Sequence, residues 1–292
     1  MFEGVMVAIV TPFRNGRCDE EAFRRLINHL IDQGVSGLVP CGTTGESATM
    51  SHPEHRRVTE ICIEEVRKRV PVLAGTGSNS TAEAVELTVH AQAAGADGAL
   101  LVSPYYNKPT QEGIYQHFKA VAEEAKGFPL VLYNIPGRTG SNILPETMAR
   151  LAKVDGIVGV KEASGDLNQM ARVIELCGPD FLVVSGDDSL TLPLLAIGGK
   201  GVISVAAQVA PREMVEMYAA FQAGDLARAR EIFFRLLPLF RALFMETNPI
   251  PVKTALAMMG LIGPEMRLPL CPMSEENQGK LRRVLADYGL VA

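Results

Sequence analysis

The sequence predicts an α/β fold: a (β/α)8 TIM barrel with a C-terminal helical appendage. Three observations carry that prediction. Eight short apolar runs recur between residues 5 and 207, each apolar throughout, as strands buried on both faces of a parallel sheet are. Helical patterns fill the gaps between them. The chain has 292 residues, a length at which an α/β barrel commonly forms one unit.

The runs are VMVAIVT (5–11), GLVPCG (37–42), VLAGTG (72–77), GALLVSP (98–104), LVLYNIP (130–136), IVGVKEA (157–163), FLVVSGDD (181–188) and GVISVAA (201–207). Between the first two, residues 19–34 place Phe23, Leu26, Ile27, Leu30 and Ile31 on one helical face and stop at Gly34. Residues 51–69 open with a capping box, Ser51 to Glu54, and carry Pro53 in the first turn. Residues 80–95 open with a second box, Ser80 to Glu83, and residues 111–127 supply the helix after the fourth run. Eight such alternations favour a barrel over a doubly wound sheet. Beyond the eighth run the pattern is helical, which divides the chain into a barrel at 1–224 and a helical region at 225–292.

Composition narrows the function classes. The chain is 47% apolar and 21% charged, ordinary for a globular protein. A net charge of −5 gives no electrostatic reason to bind nucleic acid or an anionic membrane. No apolar run reaches the roughly 18 residues of a membrane span. The opening MFEGVMVAIVTPF lacks the basic region and cleavage site of a signal peptide and reads as a first strand, which points to the cytoplasm. The five cysteines form no C-x-x-C pair, and His52 and His55 lack a further ligand nearby to complete a metal site.

Active sites of this fold lie at the C-terminal ends of the strands. The polar residues there include Thr43 and Thr44 in GTTGES, Tyr105 and Tyr106, Tyr133, Lys161 with Glu162, Gly186 with Asp187 and Asp188, and Ile203 with Ser204. Of nine lysines, Lys161 alone ends a strongly apolar run; most of the others fall in polar context and read as solvated. Burying a lysine is expensive unless its pKa falls or a partner appears. Three readings of Lys161 stay open: an ion pair with Glu162, a clamp for a phosphate or carboxylate, and a desolvated amine that forms a Schiff base. Adjacent strand residues point to opposite faces, which weakens the first. Tyr133 ends the preceding strand, and a phenol with relay hydroxyls such as Thr43 and Thr44 suits the proton transfers of a Schiff-base reaction. Gly42 and Gly45 allow a tight turn whose N–H groups can hold a carboxylate. Arg138, in YNIPGRTG, suits bidentate carboxylate binding.

AIVTPF, CGTTGES, VSPYYNKPTQEGIYQHF, YNIPGRTG, GVKEASGD, SGDD, GVISV and NPIPVK stand in an order and spacing that resembles the dihydrodipicolinate synthase family of pyruvate-dependent class I aldolases, over nearly the whole chain. The resemblance implies condensation of pyruvate with L-aspartate 4-semialdehyde, the entry step of lysine and diaminopimelate biosynthesis. It makes Lys161 the Schiff-base lysine, Tyr133 the proton donor and acceptor, and Thr43 and Tyr106 its relay, Tyr106 reaching into a neighbouring subunit. It makes Thr44, Gly186 and the backbone of Ile203 substrate contacts, and Arg138 the receiver of the semialdehyde carboxylate. It implies no metal or organic cofactor and a homotetramer built as a dimer of dimers. In its lysine-inhibited members a regulatory pocket matches Ser47, Ala48, His52, His55, Asn79, Glu83 and Tyr105, so feedback inhibition by L-lysine is expected here. A pyruvate aldolase for keto-deoxy sugar acids and a catalytically dead barrel that binds a small carboxylate are the alternatives; the set Lys161, Tyr133, Thr43 and Arg138 argues against the second.

Overall fold

The computed structural model describes residues 1–291. Eight parallel strands form one sheet: β1 (Gly4–Val7), β2 (Gly37–Leu38), β3 (Leu73–Gly75), β4 (Gly98–Val102), β5 (Leu130–Asn134), β6 (Ile157–Glu162), β7 (Leu182–Ser185) and β8 (Gly201–Ser204). Their order is β2-β1-β8-β7-β6-β5-β4-β3, the succession of a (β/α)8 barrel. Seven of the eight predicted runs contain one of these strands, and β1 begins one residue before its run. A short antiparallel hairpin, Phe13–Arg14 with Arg17–Cys18, follows β1. Among the described residues no helix is long and apolar enough to cross a membrane.

The helices follow in alternation: α1 (Glu20–Asp32), α2 (His52–Val66), α3 (Thr81–Ala94), α4 (Gln111–Glu124), α5 (Pro145–Leu151), α6 (Leu167–Cys177), α7 (Thr191–Ala196) and α8 (Pro211–Gln222). Three more close the chain: α9 (Leu226–Ala242), α10 (Ile250–Met258) and α11 (Glu275–Asp287). Helix α1 illustrates why these segments form. Asp19 caps it by accepting from the Ala22 N–H, Glu20 and Glu21 occupy its first turn, and Phe23, Leu26, Ile27 and Leu30 are fully buried. Helix α2 has its predicted cap, with Ser51 Oγ accepting from the Glu54 N–H at 3.4 Å. Helix α3 departs from expectation. Ser80 is its N-cap residue without a side-chain cap bond, and Glu83 accepts instead from Ser78 Oγ at 2.7 Å. Ser80 donates its own N–H to Ser78 Oγ, so a turn in the preceding loop replaces the box.

Contacts divide the chain into two compact units. The first comprises Met1–Gly4 and Pro71–Ile203 and holds strands β3 to β7 with most of β8. The register of β5 on β6 is central to it: Leu132 faces Val160, Tyr133 faces Lys161 and Asn134 faces Glu162. Gly159 permits the close approach of β6 to β7, because a Cβ there would meet the Leu182 carbonyl oxygen and Cβ at 2.4 Å. The second unit comprises Val5–Val70 and the chain from Ser204 onward. In it β1 pairs with β2, Met6 opposite Gly37 and Val7 opposite Leu38. Gln208 ties the chain after β8 to the chain after β1, accepting from the Val10 N–H and donating to the Ala8 carbonyl.

Candidate active site

In the first unit the alternation of β5 and β6 sorts four polar residues onto two faces. Tyr133 and Lys161 share one. Lys161 Nζ lies 4.3 Å from the centroid of the Tyr133 ring, and both residues are 6% exposed. Burial, opposed by the Asp188 carboxylate and aided by the Arg138 guanidinium, brings the Lys161 pKa down to about 8. An amine in that range is substantially neutral at mildly alkaline pH and can act as a nucleophile. Gly186 follows β7 and leaves room for the lysine stem: a Cβ there would come within 2.9 Å of Lys161 Cε and 2.6 Å of the Ala163 Cβ.

Asn134 and Glu162 share the other face, and Glu162 is fully buried there. Its carboxylate accepts from Asn134 Nδ2, the Ser164 N–H and Gln169 Nε2, at 2.8 to 3.3 Å. Asn142 bridges the same group through Asn134 and Gln169. Burial raises the Glu162 pKa while these donors pull it back. The ion-pair reading of Lys161 therefore falls away, because its neighbour's carboxylate is held by amides on the opposite face.

The remaining candidates of this unit stand in its loops and on β8. Arg138 is exposed in a single helical turn, Pro136–Thr139. Ile203 is buried on β8. Tyr106 has a φ of 71° and is 88% exposed, its N–H held by the Thr139 carbonyl. A bulky residue kept in left-handed backbone with its ring in solvent is a strained feature of the kind found at functional sites. Asn79 Nδ2 donates to the Tyr105 carbonyl at 3.1 Å, bringing those two positions together, while Glu83 binds Ser78 as described.

The second unit holds the GTTGES turn. The N–H groups of Gly45 and Ser47 donate to the Gly42 carbonyl and that of Glu46 to the Thr43 carbonyl. Three of the turn's amides thus close it, and those of Thr43 and Thr44 are not among them. Thr11 fixes the turn from β1's side by donating its hydroxyl to the Gly45 carbonyl at 2.8 Å. Thr43 is half-buried, whereas Thr44 is buried and accepts a hydrogen bond from Asn248 Nδ2 at 2.9 Å. Ser47 and Ala48 lie in the 3-10 turn Ser47–Thr49; His52 begins α2, and His55 is buried one turn later. Among the described residues no group of three or more His, Cys, Asp or Glu side chains is placed to hold a metal ion.

Lys253 received no individual role from the sequence. It is fully buried in α10, and its Nζ pairs with Glu46 Oε1 at 2.5 Å. No motif predicted this pair, because its members stand 207 residues apart. The NPIPVK stretch was its only trace.

The Dihydrodipicolinate synthetase family model matches residues 1–288. A 4-hydroxy-tetrahydrodipicolinate synthase of Nitratidesulfovibrio vulgaris is 62% identical over 291 residues, 99% of each chain. Three solved dihydrodipicolinate synthases share the fold. That of Acinetobacter baumannii, chloride-inhibited and complexed with pyruvate, is 46% identical with a TM-score of 0.97 over 100% of both chains. That of Cyanidioschyzon merolae, with lysine bound, is 43% identical with a TM-score of 0.96 over 99% of both. A monomeric dihydrodipicolinate synthase variant is 48% identical with a TM-score of 0.97, covering 99% of this chain and 98% of its own.

Proposed function

The chain belongs to the dihydrodipicolinate synthetase family and is a lyase, and on that premise we propose that it condenses pyruvate with L-aspartate 4-semialdehyde to 4-hydroxy-tetrahydrodipicolinate through a Schiff base on Lys161, in lysine and diaminopimelate biosynthesis. The observation that carries this reading is the buried Lys161 amine, held near a pKa of about 8 against the Tyr133 ring.

The neutral amine adds to the pyruvate ketone, and loss of water leaves an iminium. That cation is an electron sink, so a methyl proton departs and an enamine forms. The enamine carbon attacks the semialdehyde's aldehyde, whose oxygen takes up a proton. The semialdehyde's own amine then attacks the former ketone carbon, closes the ring and releases Lys161. Each step moves a proton, and we assign that traffic to Tyr133, relayed through Thr43 and Tyr106 as the motifs imply. Thr44, Gly186 and the Ile203 backbone contact pyruvate in this reading. Arg138 receives the semialdehyde carboxylate. The imine supplies the electron sink, so the scheme calls for no metal or organic cofactor.

Borohydride reduction with pyruvate tests it. A covalent adduct on Lys161 is expected, and its absence sinks the reading. A preference for a sugar aldehyde over the semialdehyde in a coupled assay would transfer the chain to the keto-deoxy sugar acid aldolases.

Feedback inhibition by L-lysine belongs to the same proposal, supported by the lysine-bound relative and by Ser47, Ala48, His52, His55, Asn79, Glu83 and Tyr105 at the positions the resemblance implies. Activity unchanged by L-lysine above about 1 mM, a weak small-ligand affinity, would refute it. We further propose a cytoplasmic homotetramer, in which the exposed Tyr106 serves a neighbouring subunit; sedimentation as a monomer would exclude it.

A further inference from the structure

We infer that Asn248 is a positioning residue that sets the polarity of the Thr44 hydroxyl, so that Thr44 can only donate to the pyruvate carboxylate; this rests on the function proposed above. The geometry is local to the second unit. Asn248 Nδ2 donates to Thr44 Oγ1 at 2.9 Å, and the two residues are 6% and 3% exposed. A hydroxyl has one proton. While its oxygen accepts from a buried amide, that proton is left for another acceptor, and a substrate carboxylate is acceptor-only.

The same stretch of chain holds the turn a second time, two residues after Thr44. Glu46, with a φ of 57°, ends the turn, and its buried carboxylate takes the Lys253 ammonium. The Arg267 N–H donates to Glu46's other oxygen at 3.3 Å. Lys253 and Arg267 both lie over the Phe13 ring, at 4.4 and 4.1 Å from its centroid. The entry to α10 thus does two jobs on one turn: Lys253 fixes its backbone through Glu46, and Asn248 orients a hydroxyl within it. This gives the C-terminal helical region a function in pyruvate binding.

The test separates polarity from packing. Asn248→Asp keeps the shape but can only accept, so Thr44 must turn its proton toward residue 248. Asn248→Ala leaves the hydroxyl free to rotate. Steady-state kinetics should give pyruvate KM raised about 3- to 10-fold in Asn248→Ala and about 10- to 100-fold in Asn248→Asp, with kcat changing less than KM in both. A purely structural role predicts the reverse order, the near-isostere being milder, and that order overturns the inference. If Asn248→Asp does not fold, an unchanged pyruvate KM in Asn248→Ala overturns it alone. Borohydride trapping of the wild-type protein keeps the two hypotheses apart. No adduct on Lys161 ends the proposed function, whereas an adduct together with the wrong KM order ends only the role of Asn248.

Discussion

Lys161 and Lys253 are both buried lysines, and both lie over an aromatic ring at nearly the same distance, 4.3 and 4.4 Å. Burial lowers the pKa of each. What separates them is a carboxylate. Glu46 accepts a hydrogen bond from the Lys253 ammonium, and its side chain is itself fully buried. Lys161 makes no ion pair with any described residue; Asp188 acts on it electrostatically while Arg138 opposes that effect. Desolvation alone therefore does not mark a reactive lysine, since a contacting carboxylate converts the same burial into a structural tie.

Replacing each lysine by methionine gives the sharpest contrast, because methionine keeps the length and drops the charge. Lys161→Met should lower the condensation rate by on the order of 10^3-fold or more, since the covalent route is gone. Its unfolding transition should not fall below that of the wild type. Lys253→Met strands the Glu46 charge in the interior and should destabilise the protein by about 3 to 5 kcal/mol in denaturant unfolding. Should Lys253→Met prove as stable as the wild type, the two sites differ less than their geometry says.

The pH dependence probes the same difference. The Lys161 pKa falls from 10.5 to about 8 on folding, so between those values the unfolded chain binds more protons than the folded one. Stability attributable to this group must then rise with pH across that window, by about 3 to 4 kcal/mol in all, because at lower pH the folded state buries a charged amine. Measured against Lys161→Met, which lacks the titration, wild-type stability should improve from pH 8 to 10.5. The rate of pyruvate trapping at Lys161 should climb through about pH 8 and then level off. A flat trapping profile would place the amine's pKa elsewhere.

Lys161 was legible as a site candidate and the buried pair of Lys253 was not. Lys161 ends an unbroken apolar run, and Tyr133 ends the run before it; the two parallel strands pair these ends directly, so a one-dimensional pattern sufficed despite a register shift at Leu130. Lys253 stands in IPVKTALAM, which reads as one more helix of the appendage. Periodicity tells which side of such a helix is buried, but not that a carboxylate 207 residues away will meet it. Glu162 was legible only by exclusion. Its direction away from Lys161 followed from strand alternation, whereas its partners Asn134, Ser164 and Gln169 depended on which loops and helices fold over that face. The second capping box failed because Ser78, outside the motif, offered Glu83 and Ser80 a better local arrangement.

The smallest expected effect tests whether Lys161 is held in place by space rather than by a partner. Lys253 is fixed by its ion pair and would tolerate a crowded stem. Lys161 has only walls, and Gly186 is one of them: a methyl group there would sit 2.9 Å from Cε and 3.2 Å from Cγ of the lysine, and 2.6 Å from the Ala163 Cβ. The Ala163 Cβ is the nearest of these atoms, and its N–H is bonded to the Asn134 carbonyl at the end of β5, so the backbone there and the lysine stem must both shift. A displacement of roughly an ångström at a nucleophile costs up to about 10^2-fold. Gly186→Ala should therefore reduce kcat/KM for pyruvate by about 10- to 100-fold, with Lys161 still slowly trapped by borohydride and the thermal midpoint lowered by the contact with Ala163. Full activity in Gly186→Ala would mean that the amine's position is set by something other than the cavity around it.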